Sequence, residues 1–215
     1  MRISSIVVAL PFALLLAPQD AHAVCARTSL FGPFPQATFG GTGISNLNVL
    51  QNYCDTTNTL ALTATNRYSS PLLSNDGIST FFATAGYDTH APGTYAKWNF
   101  DFYVGGSNAT GFYSLLMDTD PGAGQTFLQY DFVGANENSW NIGMGFYGGD
   151  PTAAGQYTYT LIEWRNAAHT LRFGQVSIEV DVSGTTVAPE PASMLLMTTG
   201  LFGIGAVARR RKRAV

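Results

Sequence analysis

Asp118-Thr119-Asp120 places two carboxylates two residues apart, ahead of a Pro121-Gly122 turn. Carboxylates at that spacing can share a calcium ion from a loop. The rest of a calcium-binding EF-hand loop is missing, however. Gly122 stands where a third ligand belongs, Ala123 replaces the required glycine, and Gln129 replaces the bidentate glutamate. Asp118 and Asp120 are therefore weak metal candidates, and a turn in which aspartate caps its own backbone accounts for them better. His90 and His169 sit in turn-like sequence without paired metal spacing. A Ser-His-Asp set could come together only through the fold, since no GxSxG elbow is present. Asp101, Asp131, Glu163 and Glu179 lie in strand-like runs, where a glycosidase would place its acid pair. Asp101 and Asp131 fall on the polar phase, which predicts ordinary wet faces. Tyr103, Tyr113, Tyr147, Tyr157, Tyr159 and Trp164 could stack against sugar rings, but core packing is the expectation for most of them. No catalytic residue, cofactor or established metal site emerges, and the expectation is a protein that is not an enzyme.

The elements that must position these residues are strands. Between Val24 and Val187, period-two alternation recurs and helical periodicity is scarce. Alternating runs lie at 60–64, 98–104, 128–132, 140–146, 157–161 and 176–182. Asn75-Asp76-Gly77, Ala91-Pro92-Gly93, Gly105-Gly106, Asp120-Pro121-Gly122 and Gly148-Gly149-Asp150-Pro151 punctuate them. One dry and one wet face per strand predicts an all-β domain over 24–182: an antiparallel β-sandwich, jelly-roll-like or immunoglobulin-like. No fixed-period repeat points to a propeller or solenoid.

Charge divides the chain of 215 residues. From Val24 to Ala188 there are five basic and twelve acidic residues, a net of 5 − 12 = −7. Such a surface repels phosphate backbones and excludes nucleic acid as a partner. Cys25 and Cys54 are an even pair, which in an exported chain predicts a disulfide worth about 3–4 kcal/mol over a loop of this length.

Both ends read as addresses. Arg2, the apolar run Ile6–Ala17 and Ala21-His22-Ala23 form a signal peptide over 1–23, cut between Ala23 and Val24 by signal peptidase. A short polar linker, 183–188, leads to Pro189-Glu190-Pro191. The two prolines keep that tripeptide extended and out of any following helix. Residues 192–208 are uncharged and would form a transmembrane helix about 26 Å long. Arg209, Arg210, Arg211, Lys212 and Arg213 follow as a stop-transfer cluster that stays in the cytoplasm.

Pro-Glu-Pro, a short glycine-bearing apolar helix and terminal arginines, in that order over 189–213, resemble the PEP-CTERM sorting domain, a tail also labelled ice-binding protein C-terminal domain. The second label carries no expectation of ice binding, because Thr63 and Thr65 lack regular ranks. The resemblance implies a Gram-negative, exopolysaccharide-making bacterium and an exosortase as processing partner. It implies transient residence in the inner membrane, then the cell surface or biofilm matrix. Residues 112–182 also resemble the region before many such tails, through Asp118-Thr119-Asp120-Pro121-Gly122, Asn138-Ser139-Trp140-Asn141 and Gly155-Gln156-Tyr157-Thr158. The expected function is a non-catalytic surface or matrix protein. The alternatives are a carbohydrate-binding module with exopolysaccharide as partner, and a glycan hydrolase.

Overall fold

Alternation becomes strand wherever one face of a segment meets a core, and the computed structural model shows where that happens. It describes residues 28–53, 58–68, 72–90, 93–106, 111–122 and 124–184. Eleven strands run through them: β1 (Thr28–Gly32), β2 (Val49–Tyr53), β3 (Asn58–Asn66), β4 (Ser74–Asn75), β5 (Thr80–Thr84), β6 (Trp98–Gly106), β7 (Phe112–Asp118), β8 (Phe127–Val133), β9 (Asn136–Trp140), β10 (Gly155–Trp164) and β11 (Arg172–Ser183). No helix occurs among the described residues, and so none long and apolar enough to cross a membrane. The signal peptide, Cys25 and Cys54, and the tail with its expected helix over 192–208 lie outside the described residues.

Two sheets form. One has the order β1-β2-β3-β6-β9, and every neighbour in it is antiparallel. The other has the order β4-β5-β11-β10-β7-β8. The expectation of a wholly antiparallel sandwich needs correction here, because β5 and β11 run parallel from Glu179↔Thr80 to Ser183↔Thr84. The turn at Asn75-Asp76-Gly77 sets the direction of β5, and the chain then leaves for the other sheet. The open side of β5 is filled at the end of the sequence by β11, whose own direction is set by its hairpin with β10. Pairing across so long an excursion is free to be parallel.

The inner faces carry the core. Leu60, Leu62, Trp98, Phe100, Phe102 and Val104 meet Leu115, Met117, Tyr157, Tyr159, Val180 and Phe81 in one buried cluster. Phe100 stacks on Tyr159 with centroids 4.1 Å apart, and Trp98 packs against Tyr157 at 5.7 Å. Ring pairs of this kind add to what area burial alone supplies.

The outer faces differ. On the five-stranded sheet, residues 33–48 fold back as a cover. Phe34, Ala37 and Phe39 bury against Val49 and Ala61, and Phe34 meets the Tyr103 ring edge-on at 5.1 Å. Glu137 pins this cover. Its carboxylate accepts the backbone N–H groups of Thr38 (2.9 Å) and Phe39 (2.8 Å) and the Thr38 hydroxyl (2.7 Å). The bond also holds Phe39 at a φ of 51°, in the left-handed region that non-glycine residues rarely enter. The outer face of the six-stranded sheet presents half-buried Thr158, Thr160, Ser177, Glu179 and Asp181.

Two boundaries differ from expectation. The alternation at 140–146 yields strand only to Trp140, and Ile142 to Phe146 are turns. Asn141 is the cause. Its buried amide donates to the carbonyls of Ala96 (3.0 Å) and Trp98 (2.7 Å). Its oxygen accepts the N–H groups of Ala96 (2.7 Å) and Gly143 (2.9 Å), which bends the chain off the ladder. At the other boundary, Ser183 pairs with Thr84, so β11 extends into the expected linker.

Gly155 opens β10 with a φ of 143°, facing the Pro121 carbonyl, to which Gln156 donates its N–H at 3.2 Å. A Cβ at Gly155 would collide with that carbonyl. Gly155→Ala is expected to destabilise the domain by about 2–4 kcal/mol, read as a drop in the denaturation midpoint.

Candidate functional site

The turn chemistry expected at 118–122 is what forms. Asp118 ends β7 almost wholly buried. Its Oδ1 accepts the N–H groups of Asp120 (3.1 Å) and Thr126 (3.2 Å), and its Oδ2 that of Thr158 (3.4 Å). Asp120 Oδ1 accepts the Gly122 N–H at 2.9 Å. Both carboxylates thus accept backbone donors of their own turn. Among the described residues, no three His, Cys, Asp or Glu side chains gather as a metal site.

The fold does bring together a serine, a histidine and an aspartate that no spacing in the sequence signals. Ser114 of β7 lies opposite Asp131 of β8, and its hydroxyl donates to Asp131 Oδ1 at 2.6 Å. His169 stands in the β10–β11 hairpin at a φ of 52°. The Asn166 side-chain oxygen shapes that hairpin by accepting the N–H groups of Thr170 and Leu171. The His169 ring stacks on Trp164 (centroids 5.5 Å, planes 7° apart). Its Nδ1 lies 3.4 Å from Ser114 Oγ and 3.5 Å from Asp131 Oδ1.

A nucleophilic relay needs serine on one ring nitrogen and aspartate on the other. Here both face the same nitrogen, and the serine hydroxyl donates its hydrogen bond to the aspartate rather than to the ring. Ser114 Oγ also accepts the Trp164 indole N–H at 2.8 Å and is fully buried. The arrangement joins three strands and a hairpin. Partial burial pushes the Asp131 carboxyl up. The Ser114 and Gln129 hydrogen bonds and His169 together outweigh this and hold it below the usual carboxylate range.

Of the remaining carboxylates, Asp101 contradicts the expectation of a wet face. It is fully buried on β6, on the face that residues 33–48 cover. Its Oδ2 accepts the Thr65 hydroxyl at 2.8 Å. Burial pushes its carboxyl up to about 7, and the Ser139 and Thr65 hydroxyls hold it partly back. Glu163 is also buried and accepts the Asn58 amide at 2.7 Å. Of the six rings considered as a sugar platform, Tyr113, Tyr147, Tyr157 and Tyr159 are core, while Tyr103 and Trp164 keep partial exposure. His90 is a surface loop residue whose Nδ1 lies 2.7 Å from Asp88.

Residues 187–212 match the model of the PEP-CTERM protein-sorting motif. The match spans Pro189-Glu190-Pro191 and Arg209 to Lys212. It implies export and a membrane-anchored sorting signal processed by an exosortase. No curated protein and no solved structure matches the chain.

Two outcomes test the buried polar groups. Ser114→Ala leaves the Trp164 N–H without its acceptor and Asp131 without its donor. The expected loss is about 1–3 kcal/mol in chemical denaturation. For Asp101 the folded chain holds a proton up to about pH 7, whereas an unfolded aspartate releases it near 3.8. The folded state therefore binds more protons through that window, so this group makes stability fall as pH rises from about 4 to about 7. Asp101→Asn should match the parent near pH 4 and exceed it at pH 8 by roughly 2–4 kcal/mol, measured as the difference between two pH–stability curves.

Proposed function

We propose that this chain is an exported, non-catalytic protein of the bacterial cell surface or exopolysaccharide matrix. Its β-sandwich is the cargo, and its tail is the address. The observation that carries the reading is the sorting-motif match over 187–212, at the end of a chain that opens with a signal-peptide pattern. The two ends agree on topology. A cleaved signal puts the acidic domain outside, and Arg209 to Arg213 stay inside. An exosortase then acts at or near Pro189-Glu190-Pro191, and the domain leaves the inner membrane for the surface or matrix.

The non-catalytic part of the reading is supported by the commitments of the polar side chains. The Ser114 hydroxyl is committed as a hydrogen-bond donor to Asp131, Asp118 accepts backbone donors, and Glu163 is buried against Asn58. Of the six rings weighed for a carbohydrate-binding role, only Tyr103 and Trp164 keep exposure, since the other four are interior.

Intact mass of the protein recovered from envelope and medium tests the sorting claim. The expected species begins at Val24 and ends near Pro189 to Pro191. A mature protein that retains Arg209 to Arg213 would overturn exosortase processing and leave a plain anchored chain.

A further inference from the structure

A strand at a sheet edge presents unpaired N–H and C=O groups, and proteins usually shorten, charge or bend such edges. The edges here are not treated alike. β4 has two residues, and β1 stops at Gly32 ahead of Pro33. β9 is polar from Asn136 to Ser139 and carries Glu137. β8 is neither short nor bent, and Asp131 is its single charge. It is seven residues long and contains no proline or lysine. Its register with β7 is unbroken from Phe112↔Val133 to Asp118↔Phe127. Phe127, Tyr130 and Val133 on it are 38%, 39% and 62% exposed.

The sequence of β8, Phe-Leu-Gln-Tyr-Asp-Phe-Val, has the same chemical pattern in both directions from Tyr130. Antiparallel pairing with an identical strand, centred on Tyr130, sets Phe127 opposite Val133 and Leu128 opposite Phe132. It sets Gln129 opposite Asp131. Apolar residues meet apolar ones, and the only charge meets an amide that already donates to it within the strand at 2.8 Å. In-register parallel pairing would instead set Asp131 against Asp131. The inner side of the edge is an aromatic rim. Tyr130 meets Trp140 edge-on at 5.0 Å, and Trp140 meets Phe146, 54% exposed, at 5.0 Å.

We propose that β8 is the interface of a two-fold homodimer in which two copies pair antiparallel about Tyr130 and their six-stranded sheets become one. A two-fold axis through a residue pair is the closed symmetry that such a strand permits, and it leaves no further β8 edge to recruit a third copy. A strand of this length is about 24 Å long, which places the interface at the small end of specific contacts and makes the dimer concentration-dependent.

The test is disulfide trapping in the full chain, purified in detergent, with the unsubstituted chain as the background for Cys25 and Cys54. Tyr130→Cys should cross-link to a covalent dimer on mild oxidation, because directly opposed residues bring their Cβ atoms within disulfide reach. Gln129→Cys alone should cross-link several-fold less, since its opposite residue is 131. A mixture of Gln129→Cys and Asp131→Cys chains should restore the yield. Independently, Tyr130→Lys sets like charges face to face and should weaken association at least tenfold in sedimentation, with circular dichroism unchanged. Cross-linking that ignores position, a dimer that survives Tyr130→Lys, or a monomer at every concentration would each overturn the proposal. If Tyr130→Lys fails to fold, the positional pattern of trapping still decides.

Discussion

Tyr159 can stack its ring on Phe100 only by taking a hydroxyl into the core, and the place that hydroxyl finds organises one end of the domain. It lies 3.1 Å from the Tyr147 hydroxyl, which in turn donates to the Asp118 carbonyl. A buried hydroxyl without a partner would cost a few kcal/mol, so this contact is a condition of the aromatic core. Burial pushes the pKa of both tyrosine hydroxyls up, so they stay protonated donors. On the other side of Asp118, the carboxylate gathers the N–H groups of Asp120, Thr126 and Thr158. Inter-sheet packing, the 119–126 turn and the start of β10 are thereby tied to one residue. The stretches Asp118 to Gly122 and Gly155 to Thr158, singled out in the sequence as separate features, are the two halves of this corner.

The carboxylates follow the same logic across the surface. Asp76 Oδ1 accepts the N–H groups of Ile78, Ser79 and Thr80, and those bonds lower its carboxyl to about 2. Asp150 accepts both the N–H and the hydroxyl of Thr152. Glu137 pins the cover over the five-stranded sheet. In a domain with so few lysines and arginines, these carboxylates among the described residues find their donors in the backbone of turns. Much of the acidity read from composition is therefore the chemistry of holding loops.

Strands β3, β6, β8, β10 and β11 were legible because their apolar and polar residues alternate. β7 was not, since Ser114 and Asp118 on its outer side are buried as deeply as Tyr113 and Leu115 on its inner side. Its pattern is nearly continuous, and period-two reading has nothing to detect. Trp140 to Phe146 showed the opposite failure, a false alternation broken by the Asn141 side chain. Asp101 sits in correct alternation on β6, yet its face is dry because residues 33–48 cover it. A sheet's period says which residues share a face, and only tertiary structure says whether water reaches that face. The Ser114, Asp131 and His169 cluster spans separations of 17 and 55 residues, so no local spacing could have announced it.

What remains after these assignments is an imbalance between the two sheets. The five-stranded sheet hides its outer face beneath residues 33–48 and ends on the polar strand β9. The six-stranded sheet leaves the outer faces of β10 and β11 half-buried and ends on β8, whose exposed rings continue into Trp140 and Phe146 across the gap between the sheets. The chain crosses that gap in two residues, Gly134 and Ala135, so β8 and β9 are held side by side as the edges of different sheets. Closing the gap would need a further strand or bulky side chains, and this sequence supplies side chains: Tyr130, Phe132 and Trp140 pack there as a partly exposed wall. A wall of rings seals the core against water but gives the outer edge of β8, the side away from β7, no neighbouring strand. The same economy that closes the sandwich with so short a crossover thus leaves β8, among the described residues, as a long edge strand bearing exposed apolar side chains.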